Sequence, residues 1–414
     1  MRPAAMSTDT SPDITIIGAG VVGVATAWAA ARQGLSVELV DRASGPALGA
    51  SFANGGQLSY AYTDAMAGPA LWKQIPALLR GSDPAFRLRL DGNPAIWRWG
   101  LSLLGQARSA RMQRNTLSTL RLAQASQRAM EALLERHPID FQHAVAGKLH
   151  LYFSRQALRT GLRMVELKRP HGVRQTVLDA AGVADVEPAV AQAEGLVGAV
   201  YSPDEAVGDP WQFAAGLLEV LQRQYAVRTR FDFDMDRIQR RGRRWLLGSR
   251  HGEQVEARRL VVCTGIDSAT LLRPLGIRLP LMAIKGHSFT APCGPQAPAT
   301  SITDTARKIV FCRLGDRIRV AGLADINDWS PAVDAGRYRQ LLALARESLP
   351  GAADYDRASA PWAGLRPATP DSRPVIANVG ENLTCNTGHG MLGWTLAMGS
   401  AENAVALALG NDRG

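Results

Sequence analysis

Cysteine is scarce in this sequence of 414 residues. The four cysteines lie far apart and form no C-x-x-C pair, which excludes a disulfide framework and a cysteine zinc site and fits a reducing compartment such as the cytoplasm. The seven histidines form no i, i+4 pair, and the sequence lacks both a G-x-S-x-G motif and a phosphate-binding P-loop. Metal-dependent hydrolysis, serine-type hydrolysis and P-loop phosphoryl transfer therefore find no support, and we expect no metal.

Lysine is also scarce, because only five of the 47 basic residues are lysine. The net charge of +10 therefore comes mainly from arginine, and the densest run lies at residues 237–244. This run predicts an exposed hairpin, with a contact to anionic lipid or to a protein partner as the alternative. Since no aromatic-rich surface pattern accompanies it, we expect no binding to nucleic acid.

A long uninterrupted apolar run is absent. The nearest approach is the charge-free stretch 14–31, which glycines at 18, 20 and 23 interrupt. This stretch predicts a strand, a turn and a helix, and no segment of about 20 apolar residues could span a bilayer. Peripheral contact with a membrane stays open.

The hydrophobic patterning predicts a mixed α/β (α+β) fold. A strand at 14–17, a helix at about 21–34 and a strand at 36–40 form a βαβ opening, whereas residues 66–136 lack strand patterning and predict a helical cap. Three alternating segments predict a second, antiparallel sheet, and the apolar run 391–409 predicts a final helix. The three alternating segments are 282–290, 308–312 and 316–321. Further segments predict strands at 147–153, 197–201, 226–233, 244–249 and 254–262, and helices near 154–169 and 209–225.

A glycine pattern follows the first strand and opens the first helix. Gly18, Gly20 and Gly23 have the G-x-G-x-x-G spacing of a dinucleotide-binding turn, where the helix N-terminus binds a pyrophosphate. Asp41 ends the second strand at about the distance expected of a carboxylate that binds ribose. We interpret the pattern as a dinucleotide site, with a purely structural glycine turn as the alternative.

Three more segments are suited to contact a cofactor. The strand that ends at Thr264 and Gly265 would let a phosphate or ribityl chain pass closely, and the small and amide residues 51–59 could lie against a flat polar ring. Residues 388–395 place glycines at the start of a helix, whose positive end could stabilise a reduced ring. An ordinary turn or a flexible loop is the alternative at each segment, and we take His389 as part of the loop architecture.

Arg366 lies between residues that stiffen the backbone, in Gly364-Leu365-Arg366-Pro367. A guanidinium fixed in this way can bind a carboxylate in two places, which would orient an amino acid. The alternative is an ordinary surface ion pair.

Taken together, these motifs resemble the FAD-dependent D-amino acid dehydrogenases of the small-subunit type, within the glycine and D-amino acid oxidase family. The likeness extends over about residues 13–409. Its blocks are Gly18–Gly23 with Asp41, Ser51–Ser59, Pro203-Asp204-Glu205 with Gly208-Asp209, Ile284-Lys285-Gly286, Arg317–Val320, Gly364–Asp371 and Asn386–Gly390 with Leu392–Thr395.

The resemblance implies a Rossmann-like domain for non-covalent FAD and a discontinuous substrate domain built on an antiparallel sheet plus helices. We assign 13–65, 195–275 and 360–410 to the FAD-binding domain, and 66–194 and 276–359 to the substrate domain. Arg366 would bind the substrate carboxylate. Covalent attachment of the flavin through Cys385 is the alternative to a core position of that thiol.

The expected cofactor contacts come from the glycine turn, the second strand, the small-residue loop, the Thr264 turn and the last helix. They are Gly18, Gly20, Val21, Val22, Gly23, Asp41, Arg42, Ser51, Asn54, Gly55, Gly56, Gln57, Leu58, Thr264, Gly265, Gly388, His389, Gly390, Met391, Leu392, Gly393, Trp394 and Thr395.

The sequence departs from the family at His287, Tyr60 and Tyr62, which we therefore expect near the substrate. The resemblance implies oxidative deamination of a D-amino acid, with electrons passed to a quinone or another acceptor. A peripheral position on the inner face of the bacterial inner membrane is the alternative to a purely cytoplasmic one. Alternatives are dehydrogenation of D-proline or cis-4-hydroxy-D-proline, an oxidase that uses oxygen, and a flavin-bearing subunit that needs partner subunits.

Overall fold

The fold combines a six-stranded and a nine-stranded sheet, seen in a computed structural model that describes residues 11–191 and 193–410. The strands are β1 (Ile14–Ile17), β2 (Val37–Val40), β3 (Gln57–Leu58), β4 (Phe86–Leu88), β5 (Lys148–Tyr152), β6 (Thr176–Asp179), β7 (Gly198–Ser202), β8 (Ala206–Val207), β9 (Arg228–Arg230), β10 (Met235–Arg241), β11 (Arg244–Ser249), β12 (Gln254–Ala257), β13 (Leu260–Val262), β14 (Met282–Pro292), β15 (Ser301–Asp304), β16 (Ile309–Leu314), β17 (Arg317–Ile326), β18 (Ser359–Ala368), β19 (Val375–Gly380) and β20 (Leu383–Thr387).

Helices cover both sheets. They are α1 (Val21–Ala31), α2 (Leu71–Arg80), α3 (Pro94–Gln106), α4 (Ser109–Arg136), α5 (Arg155–Lys168), α6 (Ala180–Val186), α7 (Pro210–Tyr225), α8 (Ser268–Leu272), α9 (Ala335–Ser348) and α10 (Gly393–Ala408). Within the described ranges, no helix combines the length and the apolar character that crossing a bilayer requires.

The six-stranded sheet has the order β19-β20-β13-β1-β2-β9, and all its neighbours are parallel except β19 and β20. Strands β1 and β2 are buried along their whole length, because helix α1 packs on one face and the small sheet β10-β11-β12 packs on the other. Helix α1 packs between α7 and α10 over this sheet. The predicted βαβ opening is therefore confirmed, although α1 ends at Ala31 and not at residue 34.

The nine-stranded sheet has the path β18-β14-β17-β16-β15-β5-β7-β6, and β4 pairs with β17. Most of its pairs are antiparallel, which confirms the predicted second sheet. Strand β4 corrects the prediction that residues 66–136 contain no strand. The mixed α/β fold class is confirmed.

Two strands that fall in segments assigned to the FAD-binding domain pair within the nine-stranded sheet. Strand β7 lies inside segment 195–275, and β18 begins at Ser359 and continues into segment 360–410. The other segment bounds stay a prediction.

The predicted strand 254–262 is in fact two strands in different sheets. Strand β12 continues the small sheet β10-β11-β12, whereas β13 lies in the six-stranded sheet. The break falls at Arg258 and Arg259, whose charged side chains do not suit a buried parallel strand. The basic run does form a hairpin, as predicted, with Gly242 in the left-handed region at φ +61° between β10 and β11.

Candidate functional site

The glycine turn after β1 is a close backbone packing that only glycine permits. Gly18 has φ +100°, and a Cβ there would lie 2.7 Å from the carbonyl oxygen of Cys263. A Cβ on Gly23 would lie 2.8 Å from the carbonyl carbon of Gly18 and closer still to its oxygen. A Cβ on Gly20 would meet only the Ser51 hydroxyl, at 3.6 Å, so the space beside Gly20 is open at the start of α1. This geometry leaves the N-terminus of α1 accessible to an anion.

Asp41 ties this turn to the end of β2. Its Oδ2 accepts a hydrogen bond from the backbone N–H of Ala19 at 2.5 Å, and its Oδ1 accepts one from Ala43 at 2.8 Å. Arg42 points outward and pairs with Asp267 at 2.8 Å, with 66% of its side chain exposed. Each oxygen of the Asp41 carboxylate can accept a second hydrogen bond, so the side chain could still bind ribose. Cofactor contacts of Asp41 and Arg42 stay a prediction.

Three parallel strands end together beside the turn. Since β1, β13 and β20 are neighbours in register, their carboxyl ends bring Gly18, Gly265 and Gly390 to one edge of the sheet. Gly265 and Gly390 have φ +58° and +55°, and a Cβ on either would meet nothing within 4 Å. The predicted glycine segments are therefore brought together around open space.

Two buried polar atoms at this edge lack a hydrogen-bond partner in the described part of the chain. They are Oδ1 of Asn386 and Nε2 of His389. Burial lowers the pKa of His389 to about 4, so its imidazole is neutral near pH 7 and can donate or accept one bond at that nitrogen. Buried polar atoms without a partner are uncommon in folded proteins, so both atoms are candidates for a hydrogen bond with a polar ligand.

The start of α10 is only partly available to a ligand. Trp394 donates from Nε1 to the carbonyl oxygen of Gly208 at 3.2 Å and packs in the core, and the Thr395 hydroxyl accepts a hydrogen bond from the Ser59 N–H at 2.9 Å. Met391 is 63% exposed, in the short turn of helix before α10. The backbone N–H groups of the first turn of α10 still point out of the helix end.

Residues 51–59, which we call the connector, lie across the nine-stranded sheet. Ser288 on β14 donates to the carbonyl oxygen of Ala53 at 2.6 Å, and Arg319 on β17 donates to that of Asn54 at 3.1 Å. Gln57 donates to Ser301 on β15 at 2.5 Å. The connector therefore crosses one strand after another, which fixes it between the two sheets.

Gly55 and Gly56 permit this close crossing. A Cβ on Gly55 would lie 3.0 Å from the Val310 side chain, and one on Gly56 would lie 3.0 Å from Sγ of Cys312. The remaining predicted connector residues are buried or bonded locally. The Ser51 hydroxyl accepts a hydrogen bond from the Val21 N–H, Asn54 accepts one from the Gly56 N–H, and Leu58 lies in the core. The side chain of Val21 also lies in the core, and Val22 packs against it.

Arg366 is half-buried on β18, with its guanidinium over Gly286 of β14. Its Nη1 donates to the carbonyl oxygen of Leu323 at 3.3 Å. Burial lowers the pKa of Arg366 to about 10, and the negative charge of Asp325 opposes that shift. No carboxylate lies within ion-pair distance of Arg366 in the described ranges, so this cation is charged at neutral pH and available to an anionic ligand.

His287 faces away from Arg366. Gly364 pairs with Gly286 and Ala363 with His287, so side chains at 286 and 287 lie on opposite faces of the sheet. His287 instead contacts Oδ2 of Asp325 at 3.0 Å, and Asp325 also pairs with Arg337 on α9 at 2.7 Å. The structure does not bring His287 together with the Arg366 guanidinium.

Tyr60 and Tyr62 are also distant from Arg366. Tyr62 packs on His150 with ring centroids 4.3 Å apart, and the Lys148 ammonium lies 5.0 Å from the centre of the Tyr62 ring. Lys148 and His150 lie on β5, five strands from β18, which is about 24 Å along the sheet at a spacing of ~4.8 Å. Tyr60 and Tyr62 therefore belong to a different cluster.

That cluster contains charged residues that sequence reasoning missed. The Lys148 ammonium donates to the Ser59 hydroxyl at 2.7 Å, and Glu205 accepts from the Ala61 N–H at 2.6 Å while its Oε2 lacks a partner among the described atoms. Burial lowers the pKa of Lys148 to about 8 and raises that of Glu205 to about 7. The signal for Lys148 was its position in the alternating pattern of a predicted strand at 147–153.

Cys385 lies fully buried in β20. Burial raises the pKa of its thiol to about 12, which opposes the thiolate that covalent attachment would need. Its position is that of a core strand residue.

The residues at the sheet edge fit FAD. The positive end of α1 suits a pyrophosphate, the open glycines at 265 and 390 admit a chain at close range, and the unpaired atoms of Asn386 and His389 offer hydrogen bonds. The individual contacts of the predicted cofactor residues stay a prediction.

Comparisons with known proteins point the same way. The family DAO, described as FAD dependent oxidoreductase, matches residues 13–407. The chain is 41% identical to D-amino acid dehydrogenase 2 of Ralstonia nicotianae, over 94% of each chain, and 37% identical to D-amino acid dehydrogenase of Paramagnetospirillum magneticum, over 96% of this chain and 95% of that one. It superposes on glycine oxidase from Geobacillus kaustophilus with a TM-score of 0.74 at 20% identity, over 98% and 96% of the two chains.

Proposed function

Because the chain belongs to the DAO family of FAD-dependent oxidoreductases, we propose that it oxidises a D-amino acid to the imino acid. Water then hydrolyses the imino acid to a 2-oxo acid and ammonia. The half-buried Arg366 guanidinium, which has no carboxylate partner among the described residues, is the observation that carries this proposal, because it offers an amino acid a carboxylate site. Relatives at 41% and 37% identity that are named D-amino acid dehydrogenases support it.

The substrate carboxylate binds the outer edge of the Arg366 guanidinium. The Leu323 carbonyl accepts a hydrogen bond from Nη1, and the missing Cβ of Gly286 leaves room for the guanidinium to lie against β14. Because the guanidinium is partly desolvated, its attraction for a carboxylate is stronger than it would be in water. This fixes the amino acid at one end.

FAD, when bound, would supply the oxidant, which is an acceptor for the hydride of the substrate α carbon. The residues of the chain would supply binding and orientation. The start of α1 would hold the pyrophosphate, Oδ1 of Asn386 could accept a hydrogen bond, Nε2 of His389 could donate or accept one, and the positive end of α10 would stabilise negative charge. No side chain has to act as an acid or base at the α carbon.

The substrate amine must be neutral when the hydride leaves, since an ammonium opposes the positive charge that develops at the α carbon. We therefore expect the rate of substrate-dependent flavin reduction to rise with pH toward the pKa of the amine. Anaerobic stopped-flow measurements between about pH 6 and pH 10 test this. A flat profile over that range would count against the scheme.

The electrons leave to a quinone or another acceptor, and the protein lies peripherally on the inner face of the bacterial inner membrane. A dehydrogenase differs from an oxidase in that oxygen is not its electron acceptor. Hydrogen peroxide formation under air, in proportion to substrate consumed, would assign the oxidase alternative. A protein that reduces an artificial dye by itself would need no partner subunit.

The test of the proposal is dye reduction by the purified holoenzyme with paired D- and L-amino acids. We expect turnover with D-isomers, and in Arg366→Lys a rise of KM by about 10-fold or more, because lysine cannot bind a carboxylate in two places. Arg339→Lys, on the exposed side of α9, is the matched control. Equal KM values for both variants and the unaltered enzyme would contradict the role of Arg366.

A further inference from the structure

Helix α2 is unusual because none of its side chains is fully buried among the described residues. Trp72 and Leu79 are the most exposed of its apolar residues, at 55% and 57%. Large apolar side chains seldom remain in water on a whole helix unless another surface covers them. The exposed side of the helix is therefore left for a partner that the described residues do not provide.

The exposed side chains of α2 form an ordered strip. Trp72 and Leu79 are seven residues apart and lie on the same side of the helix. Lys73 and Arg80, each one position further, lie beside them on the flank, and α2 contains no acidic residue. The strip is apolar with a basic border.

Helix α3 repeats this arrangement. Trp97 and Leu101, four residues apart, are 58% and 71% exposed, with Arg98 beside them, whereas Ile96 and Trp99 are buried. Helix α3 also contains no acidic residue.

The two helices adjoin the same strand. Helix α2 packs against β4, and Leu88 of β4 packs with Ile96 and Trp99 of α3. We call the exposed side of α2 and α3 the tryptophan surface. Of the large apolar side chains that the described residues expose, six lie between 66 and 101: Met66, Trp72, Leu79, Leu90, Trp97 and Leu101.

The basic hairpin β10–β11 is the competing surface, but it lacks this composition. Arg240 pairs with Glu381 and Arg244 with Glu256, so part of its charge is already neutralised. None of the large exposed apolar side chains found in the described residues lies in this hairpin. It offers charge without an apolar strip.

We propose that the tryptophan surface seats the protein on an anionic lipid bilayer, with α2 lying in the headgroup region. Tryptophan prefers the membrane–water interface, a helix with an apolar strip and basic flanks binds in that plane, and basic side chains pair with anionic headgroups. The charges complement such a surface, because Lys73, Arg80 and Arg98 have no acidic neighbour on their own helices. This inference rests on the proposed transfer of electrons to a membrane quinone, which dissolves in the same bilayer.

The experiment is sedimentation of the holoenzyme with vesicles of phosphatidylglycerol and phosphatidylcholine in equal parts, and with phosphatidylcholine alone. Lys73→Gln/Arg80→Gln should weaken binding to the anionic vesicles about 25-fold, at about fivefold for each charge. Trp72→Ser/Leu79→Ser should weaken binding to both kinds of vesicle by at least about 10-fold. Neither variant disturbs buried packing, since α2 has no buried residue.

Arg237→Gln/Arg241→Gln on the hairpin removes the same charge from exposed positions and is the matched control. Losses in the α2 variants together with unchanged binding of the control support the proposal. The reverse pattern, or no binding of the unaltered protein to anionic vesicles, overturns it. So does a change of molecular mass in solution in the α2 variants with unchanged vesicle binding, which would identify a second copy of the chain as the occupant.

Dye reduction with D-amino acids separates this proposal from the proposed function. We expect it to be unchanged in all three variants without vesicles. Intact dye reduction without vesicle binding would overturn the membrane surface alone, whereas vesicle binding without any D-amino acid oxidation would overturn the proposed function and leave the surface supported.

Discussion

Replacement of Gly286 by alanine tests the position of the Arg366 guanidinium. A Cβ at this position would lie 2.6 Å from Nη1 of Arg366, and Cζ and Nη2 would be nearer still. Backbone strain does not arise, because Gly286 is not among the glycines with positive φ. The guanidinium is the end of a flexible side chain, so it moves and the strand stays in place.

The size of the effect follows from that distance. To reach an ordinary contact of about 3.4 Å, the guanidinium has to move by roughly 1 Å, and a misplacement of ~1 Å in a binding group can reduce catalysis on the order of 100-fold. We expect kcat/KM for the D-amino acid to fall by about that factor, mainly through KM. Overpacking should lower the free energy of unfolding by no more than about 1–3 kcal/mol.

The assay is anaerobic stopped-flow reduction of the bound flavin over a range of substrate concentrations, with flavin content and urea unfolding measured on the same preparations. Gly248→Ala is the matched control, because it also lies within a strand and its Cβ would meet Arg237 at 3.5 Å, an ordinary contact. A kcat/KM of Gly286→Ala within twofold of the unaltered enzyme would refute the assignment of Arg366. An equal loss in Gly248→Ala would also refute the reasoning.

Two further predictions concern the cofactor edge. Gly23→Ala forces backbone against backbone at Gly18, so we expect loss of bound flavin and a fall of about 3 kcal/mol or more in the free energy of unfolding, measured as the flavin-to-protein ratio and by urea titration; full flavin content would oppose this. Burial lowers the pKa of His389 from 6.5 to about 4, so between these values the unfolded chain binds a proton that the folded chain does not. The free energy of unfolding should therefore fall by up to about 3 kcal/mol as the pH falls from 6.5 through 4. His389→Asn should remove that loss, and unfolding titrations between pH 4 and pH 7 with equal slopes for both proteins would contradict it.

The elements around the glycine turn could be predicted because their signals are local. The apolar strand 14–17, the glycine spacing and the charge-free helix each specify structure within a few residues, and β1, α1 and β2 follow them. The same holds for β14, β16 and β17, whose alternating patterns predicted the antiparallel sheet.

Other parts depend on contacts between distant segments. Strand β18 contains two prolines and exposed positions, and no strand was predicted there; it forms as an edge strand on β14, where proline is tolerated. The face of His287 depends on strand register, and β14 has an irregular register with β17 between Lys285 and His287. The sequence shows the residues but not that register.

The charged cluster of Lys148 and Glu205 illustrates the same limit at the site. Lys148 meets Ser59 across 89 positions of the chain, and the connector brings the two together only because it lies across the sheet. The pairing of Asp325 with Arg337 and His287 likewise requires α9, a helix that was not predicted.

The most direct test of the account is the visible spectrum of the purified protein under anaerobic conditions. D-alanine, D-proline, cis-4-hydroxy-D-proline, glycine and the L-isomers are added one at a time. The account predicts a yellow protein whose flavin band is bleached by at least one D-isomer and not by its L-counterpart. A colourless protein, or a yellow protein that no D-isomer bleaches, would contradict it.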